Sequence, residues 1–161
     1  SISIPKSVTK IDESAFRGCI SLLSIVVAKG NPKFDSREGC NAIIETATNT
    51  LIFGCQSTII PEGVTAIGWC TFDGCSSLQS IVIPKGVKKI EEFAFRGCAA
   101  LTTVTLPIGV NKINEGAFTR CKALTTIYVP AKKTDYYKRR LPEELHSLIV
   151  ELQPEKKAKK K

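Results

Sequence analysis

The chain has 161 residues, of which 43% are hydrophobic and 24% are charged, and its formal net charge is +8. A chain of this length can bury a real core in a single domain, and its apolar content excludes a disordered protein. No stretch approaches the roughly 18 consecutive apolar residues of a membrane-spanning helix, so we expect no transmembrane segment. Ser1 opens directly into SISIP, which has the form of a repeat end, and no signal peptide is visible. We therefore expect a mature form or a fragment, with targeting information outside this chain.

The main pattern in the sequence is a 23-residue repeat. Segments 4–27, 60–83, 83–106 and 106–129 share the frame I-P-x-x-V-x-x-I-x-x-x-x-F-x-x-C-x-x-L-x-x-I-x-[IVL]. Self-similarity at a fixed period of this length is the signature of a stacked solenoid, in which each repeat buries its apolar face against its neighbours. Such arrays are usually binding surfaces.

Each part of the frame predicts an element. The L-x-x-I-x-[IVL] segment alternates in hydrophobicity and predicts a half-buried strand that proline ends, and V-x-x-I predicts a second short extended piece. We expect the strands of successive repeats to form one continuous parallel sheet. Two buried ladders should run along the array, one of phenylalanines and one of cysteines; their members are Phe16, Phe72, Phe95 and Phe118, and Cys19, Cys75, Cys98 and Cys121.

Residues 28–59 interrupt the period. Within them, 41–45 and 50–54 read as two strands joined by a turn at 46–49, which predicts a β-hairpin. Two interpretations remain open, an elaborated repeat that extends or twists the array and a protruding recognition arm. Cys40 and Cys55 flank the hairpin, and the sequence does not settle whether they form a disulfide.

The repeat stops after Pro130. Residues 131–153 contain a short helical pattern and a last apolar strand, and they predict a C-terminal αβ cap on the 1–130 solenoid. In this cap, Tyr136 and Tyr137 could either form a binding patch or pack on the last repeat. Residues 154–161 are rich in lysine and predict a disordered basic tail.

We find no catalytic or metal-binding pattern. The chain has one histidine, His146, and neither a C-x-x-C pair nor a glycine-rich phosphate loop. The neighbouring acidic residues Glu91 and Glu92 would point apart in an extended chain and read as a solvated face. Trp69 is a candidate surface aromatic, with partial packing beside the insertion as the alternative. We therefore predict a protein that is not an enzyme and that uses no cofactor, metal or small-molecule substrate.

The I-P-x-x-V-x-x-I, A-F-x-x-C and L-x-x-I-x-[IVL] blocks resemble the BspA-like leucine-rich repeat family over residues 1–130, apart from the insertion. The resemblance implies a mostly β, curved, right-handed solenoid with short helical turns, whose L-x-x-I-x-[IVL] strands line the concave face. Family members resemble bacterial and protozoan surface proteins, and several are associated with adhesion to host matrix proteins. The resemblance therefore implies a bacterial cell-surface or secreted location and a role in cell adhesion.

These observations favour a protein-interaction module that binds a protein or glycoprotein, host matrix proteins among the candidates, on its concave sheet. The outward positions of the strands are small, hydroxylated or β-branched and almost uncharged, and we expect the contacts at Ser80, Val82, Thr103, Thr105, Thr126 and Tyr128. Ser24 and Val26 occupy the same phase in the first repeat. The same residues are equally compatible with a plain solvated sheet face.

The alternative function is binding of a polyanion, nucleic acid or an anionic surface, through the basic C-terminal part of the chain. Residues 131–161 hold 10 basic and 5 acidic residues, whereas residues 1–130 hold 13 and 10. The lysine tail carries no aromatic residue on which bases could stack, which argues against nucleic acid. A third possibility is a spacer segment of a longer array, without a ligand of its own.

Overall fold

The computed structural model describes residues 1–12, 15–16 and 18–153. It contains twelve described strands, one short α-helix and two 3₁₀ helices, the latter at Arg37–Gly39 and Glu143–Leu148. In chain order, the strands and the helix are β1 (Ile2–Ile4), β2 (Ile25–Val27), β3 (Phe34–Asp35), β4 (Ala42–Glu45), β5 (Thr50–Gly54), β6 (Ala66–Ile67), β7 (Ser80–Val82), β8 (Lys89–Ile90), β9 (Thr103–Thr105), β10 (Lys112–Ile113), β11 (Thr126–Val129), α1 (Thr134–Lys138) and β12 (Ile149–Glu151).

The strands form a β-solenoid of about six turns, which confirms the predicted fold class. The L-x-x-I-x-[IVL] segments give the parallel strands β7, β9 and β11, which β12 extends to a four-stranded sheet. The V-x-x-I segments give β6, β8 and β10, which pair in parallel on another side of the solenoid. Each of the last three repeats therefore contributes one strand to each of two sheets, because its 23 residues make one turn of the solenoid.

The prediction that the L-x-x-I-x-[IVL] strands form one continuous sheet is wrong. β1 and β2 form a separate two-stranded parallel sheet, and the other four strands form their own. Between these two sheets lies a further turn of the solenoid. Its residues 55–61 correspond to the strand segment of the repeat frame but form no strand. There the inward strand position is filled by Thr58 in place of Ile81 or Val104, and its hydroxyl donates to the carbonyl of Asn41 at 2.6 Å. A buried hydroxyl needs such a partner, and the hydrogen bond links this turn to the residue before β4 rather than to a strand ladder.

The phenylalanine ladder is confirmed for three of its four members. The rings of Phe72, Phe95 and Phe118 stack with centroids 5.0 and 5.3 Å apart and planes within 6° of parallel. Phe16 instead packs on Phe53 of the insertion, with centroids 4.5 Å apart. It belongs to a smaller apolar cluster under the first turn, separate from the main core. The insertion therefore replaces the neighbouring repeat that Phe16 would otherwise meet.

The cysteine ladder is also interrupted at its first member. Cys75 and Cys98 are buried and Cys121 is half-buried, and their thiols donate to backbone carbonyls, Cys98 to that of Phe72 at 3.2 Å. Burial raises the pKa of Cys75 to about 12. Cys19 is exposed, contrary to expectation. Since it lies before the insertion, the repeat stack that buries the others does not cover it.

The insertion folds back onto the second sheet. β4 and β5 pair antiparallel, β3 pairs with the far edge of β4, and β5 pairs in parallel with β6, so the hairpin extends the β6–β8–β10 sheet. β4 is largely buried, which fits the elaborated repeat better than a protruding arm. Cys40 and Cys55 are free thiols, and that of Cys55 faces the carbonyl of Asn41 at 3.5 Å.

The segment after Pro130 packs on the last repeat. Tyr137 on α1 is completely buried, and its hydroxyl donates to the carbonyl of Pro107. Tyr136 is half-buried and donates to the carbonyl of Val110 at 3.0 Å. The two tyrosines thus pack on the solenoid rather than form an open patch. The predicted basic tail at 154–161 lies outside the described residues.

Candidate functional site

The parallel register of the four-stranded sheet places the predicted contact residues in two rows. Ser80 pairs with Thr103 and Thr103 with Thr126, which makes the first row. Val82 pairs with Thr105 and Thr105 with Tyr128, which makes the second. Because alternate residues of a strand point to opposite faces, both rows lie on the face opposite the buried Ile81, Val104 and Ile127. The structure therefore brings all six residues together on one surface, the outer face of the sheet.

The exposure of this face increases towards its two edges. Val82 on β7 is 65% exposed, whereas Thr105 and Tyr128 on the inner strands are half-buried. Side chains on a pleated sheet partly cover one another, so the strands in the middle lose more of their surface. The face can thus offer a contact surface of hydroxyls and methyl groups.

The outer face differs in charge from the second sheet. None of its six predicted contact residues is an Asp, Glu, Lys, Arg or His. The strands of the second sheet carry lysines instead, at Lys89 and Lys112. Removing water from an uncharged surface costs less free energy than removing it from a lysine ammonium group.

The sequence analysis missed a seventh member of the face. Val150 on β12 pairs with Tyr128 and is 45% exposed, so it continues the second row. The apolar run Leu148, Ile149 and Val150 was the available signal for a strand, but this strand lacks the repeat frame that would have fixed its register. The second row therefore runs from Val82 to Val150 across four strands.

Two residues with the same positions in the repeat frame as the outer-face rows do not lie on the four-stranded sheet. Ser24 precedes β2, and Val26, which is 50% exposed, lies on it, in the separate two-stranded sheet. They are therefore not continuous with the outer face through strand pairing. Ile59 has the same position in the repeat frame, at the turn without a strand, and is 78% exposed.

Some basic side chains of the C-terminal segment pack against the rest of the protein. The guanidinium of Arg140 lies 3.5 Å from the centre of the Tyr136 ring and donates to the carbonyls of Asn111 and Tyr136. Lys133 also lies over that ring, at 5.7 Å. Lys132, Lys138 and Arg139 are exposed, as the polyanion alternative requires.

The described ranges contain no group of three or more His, Cys, Asp or Glu side chains that could hold a metal ion. Over the same ranges, no helix is long and apolar enough to cross a membrane. Trp69 is 37% exposed and lies beside the insertion. It is thus partly packed, as the second of its two sequence interpretations predicted.

Comparison with known proteins links this architecture to one family. The model of the BspA type leucine rich repeat region matches residues 1–47 and 51–142 in six copies, two more than the four repeats found in the sequence. The search of curated proteins gave no significant match.

Two solved structures share the fold. A leucine rich cell surface protein from Faecalibacterium prausnitzii is 24% identical, with a TM-score of 0.58 over 96% of this chain and 48% of that one. A leucine-rich repeat protein from Eubacterium ventriosum is 22% identical, with a TM-score of 0.56 over 80% of this chain and 42% of that one. The chain thus spans about half the length of these proteins, and the likeness shows the fold alone.

Proposed function

Because the chain belongs to the BspA-type leucine-rich repeat family, we propose that it is a non-enzymatic protein-interaction module of a bacterial cell surface. The family suggests protein binding, and one protein of the same fold is described as a cell surface protein. The finer proposal is that a protein or glycoprotein binds the outer face of the four-stranded sheet, with host matrix proteins as the first candidates.

The observation that carries this proposal is the second row of the outer face. Val82 and Val150 expose large apolar side chains at its two ends, and hydroxyl groups of Thr105 and Tyr128 lie between them. A partner could bury the valines and use the hydroxyls as donors or acceptors. A tyrosine near the middle of an interface is among the residues that contribute most to binding.

We also propose that residues 131–153 act as the C-terminal cap of the solenoid. Burial of Tyr137 and its hydrogen bond to Pro107 support this role, because they cover the end of the core. The pairing of β12 with β11 adds a strand to the outer face, so this cap would also contribute Val150 to binding.

The test is a binding assay against a panel of purified extracellular-matrix proteins, with Thr105→Glu and Tyr128→Glu as the variants. Each places a charge in the middle of the outer face, so we expect loss of binding with an unchanged circular dichroism spectrum and unfolding midpoint. Lys112→Glu on β10 is the matched control, because Lys112 is exposed on the second sheet. Binding that survives both variants would show that the outer face is not the site.

The polyanion alternative predicts a different result in the same assay. Binding would then fall steeply with salt and would be lost when residues 154–161 are deleted. Binding through the outer face should change little in both experiments.

Protease shaving of intact cells tests the proposed location. Peptides of this chain released before lysis would support a cell-surface protein, whereas peptides that appear only after lysis would contradict it.

A further inference from the structure

The thiols of Cys98 and Cys121 hold the same position in two consecutive repeats. Cys98 is fully buried and Cys121 is half-buried, and all seven cysteines of the chain lie in the described ranges as free thiols. We propose that these two cysteines form a redox-active pair, which a low-molecular-weight disulfide oxidises to a disulfide bond between the last two repeats. The pair uses none of the outer-face residues, so it is independent of the proposed function.

The first argument is the spacing of the two cysteines. Phe95 donates its backbone N–H to the carbonyl of Ala117 at 2.8 Å, and Gly97 donates to that of Thr119 at 2.9 Å. The two turns therefore run side by side, and backbone segments joined in this way lie about 4.8 Å apart. Disulfides form between cysteines whose Cα atoms are about 4.4–6.8 Å apart. The last two repeats thus already hold the cysteines at a separation that a disulfide can bridge.

The second argument is the contact between the two thiols. The Cys98 thiol donates a hydrogen bond to the sulfur of Cys121, which lowers the pKa of Cys121 against the opposing effect of burial and raises the pKa of Cys98. The Cys98 sulfur also lies 3.2 Å from the carbonyl of Phe72. Its single proton favours Cys121 once that sulfur is charged, because a charged acceptor forms the stronger hydrogen bond. Cys121 is therefore the thiol of this pair that ionises first, and the thiolate is the nucleophile.

The third argument is access. Cys121 lines a groove of about 1070 Å³ between the last repeat and the C-terminal segment, together with Phe118 and Leu141. Cys98 lies one turn further into the array and is outside the described lining of this groove. A small disulfide can therefore reach Cys121 before it reaches Cys98.

The preceding member of the ladder does not offer the same chemistry. Cys75 is buried, and its sulfur lies 3.7 Å from the carbonyl of Gly54. Burial raises its pKa to about 12, so it is neither accessible nor ionised near neutral pH. The accessible, ionisable thiol is thus at the last rung of the ladder.

The exchange balances in two steps. The Cys121 thiolate attacks one sulfur of the small disulfide, which breaks its S–S bond, leaves a mixed disulfide on Cys121 and releases the other half as a thiolate. Cys98 then loses its proton to solvent and attacks the Cys121 sulfur, which forms the new S–S bond and releases the second half. The two cysteines give up two electrons and two protons, and the small disulfide becomes two thiols. Once Cys121 carries the mixed disulfide, its thiolate no longer raises the pKa of Cys98.

Oxidation of the folded chain followed by peptide mapping tests the pair. Cys19→Ser would be the parent, because Cys19 is exposed and would otherwise form disulfides between molecules. We would incubate the reduced parent with 2-hydroxyethyl disulfide in native buffer at pH 7.5, block the remaining thiols with N-ethylmaleimide in urea and digest without reduction. Trypsin places Cys98 in peptide 97–112 and Cys121 in peptide 121–122, so a disulfide between them gives a distinct mass.

We expect these two peptides to be joined after oxidation and to separate again after dithiothreitol. Cys98→Ala should leave Cys121 as a stable mixed disulfide, and Cys121→Ala should leave Cys98 reduced. Cys75→Ala is the matched control, since Cys75 is a buried cysteine of the same ladder and its loss should leave the disulfide unchanged. The oxidised parent should unfold at a higher urea concentration than the reduced parent, because the cross-link constrains the unfolded chain.

Two results would overturn the proposal without any buried substitution. One is that both peptides of the parent stay reduced, while the same reagent modifies Cys19 in the native chain and so proves active. The other is that Cys98 is joined to Cys75, or to Cys121 only when urea is present during oxidation. Among the variants, oxidation of Cys98 at the parent's rate in Cys121→Ala would contradict the assigned order of attack. Circular dichroism of each variant shows that the fold is retained.

Discussion

The ring of Phe95 lies parallel to that of Phe72, with centroids 5.0 Å apart and planes 6° apart. On its other side, Phe95 stacks in the same way on Phe118. It is therefore the middle ring of a buried column, and both neighbouring repeats depend on it.

Replacing Phe95 with alanine should lower the free energy of unfolding by about 3–5 kcal/mol, because a fully buried ring is lost and a cavity remains. Phe93→Ala in the same repeat is the control, since Phe93 is half-buried and should cost less. Urea denaturation followed by circular dichroism measures both. Equal costs for the two variants would show that the column has no special role.

The glycine at the end of β5 is required by the same column. A Cβ atom on Gly54 would overlap the ring of Phe72, which is itself fully buried. Gly54→Ala should therefore destabilise the fold by about 1–3 kcal/mol through overpacking. The cost should shrink in a Phe72→Leu background, where the ring is absent, and a double-mutant cycle of unfolding free energies measures this coupling. Strict additivity would mean that the steric explanation is incorrect.

Tyr137 should make stability depend on pH above neutrality. Burial raises its pKa from the ordinary 10 to about 12. The unfolded chain therefore loses this proton at a lower pH than the folded chain. The contribution is complete below pH 10 and declines as the pH rises towards about 12.

Tyr137→Phe should remove this part of the decline and also cost about 1–3 kcal/mol at neutral pH, because the carbonyl of Pro107 loses its donor. Tyr128→Phe is the control on the half-exposed outer face and should cost less free energy at neutral pH. Unfolding free energies measured between pH 7 and pH 11.5 test both statements. An alkaline decline of the same size in Tyr137→Phe and the native chain would contradict the assignment.

The cysteines should differ sharply in reactivity. Cys19 is exposed, whereas Cys40, Cys55, Cys75 and Cys98 are buried. The interaction with the Cys121 thiol and its own burial raise the pKa of Cys98, so it should be among the slowest. Brief treatment of the native chain with a maleimide at pH 7.5, followed by mass spectrometry, should label Cys19 first. Labelling of Cys98 at a similar rate would show that the array opens readily.

The repeat frame was sufficient to predict most of the solenoid. A period of 23 residues fixes which residues of successive turns are neighbours, so the stack of Phe72, Phe95 and Phe118 and the two rows of the outer face from β7 to β11 follow from sequence spacing alone. The role of those rows in binding remains a prediction, because spacing determines position and carries no information about a ligand.

The frame failed where the period breaks. The partner of Phe16 is Phe53, which lies in the insertion, and no spacing rule connects the two. The exposure of Cys19 has the same cause. Thr58 occupies an inward position usually held by isoleucine or valine, and this substitution was the local signal that the strand ladder would stop there.

The break between the β1–β2 sheet and the four-stranded sheet also limits the width of the outer face. Strands β7 to β12 span three interstrand spacings of about 4.8 Å, so the paired surface is only about 14 Å wide along the solenoid axis. A single extended peptide or a slim loop could lie within that width. A ligand that extends past β7 would meet the turn at Ile59, and its affinity would then depend on a residue that no strand holds in register.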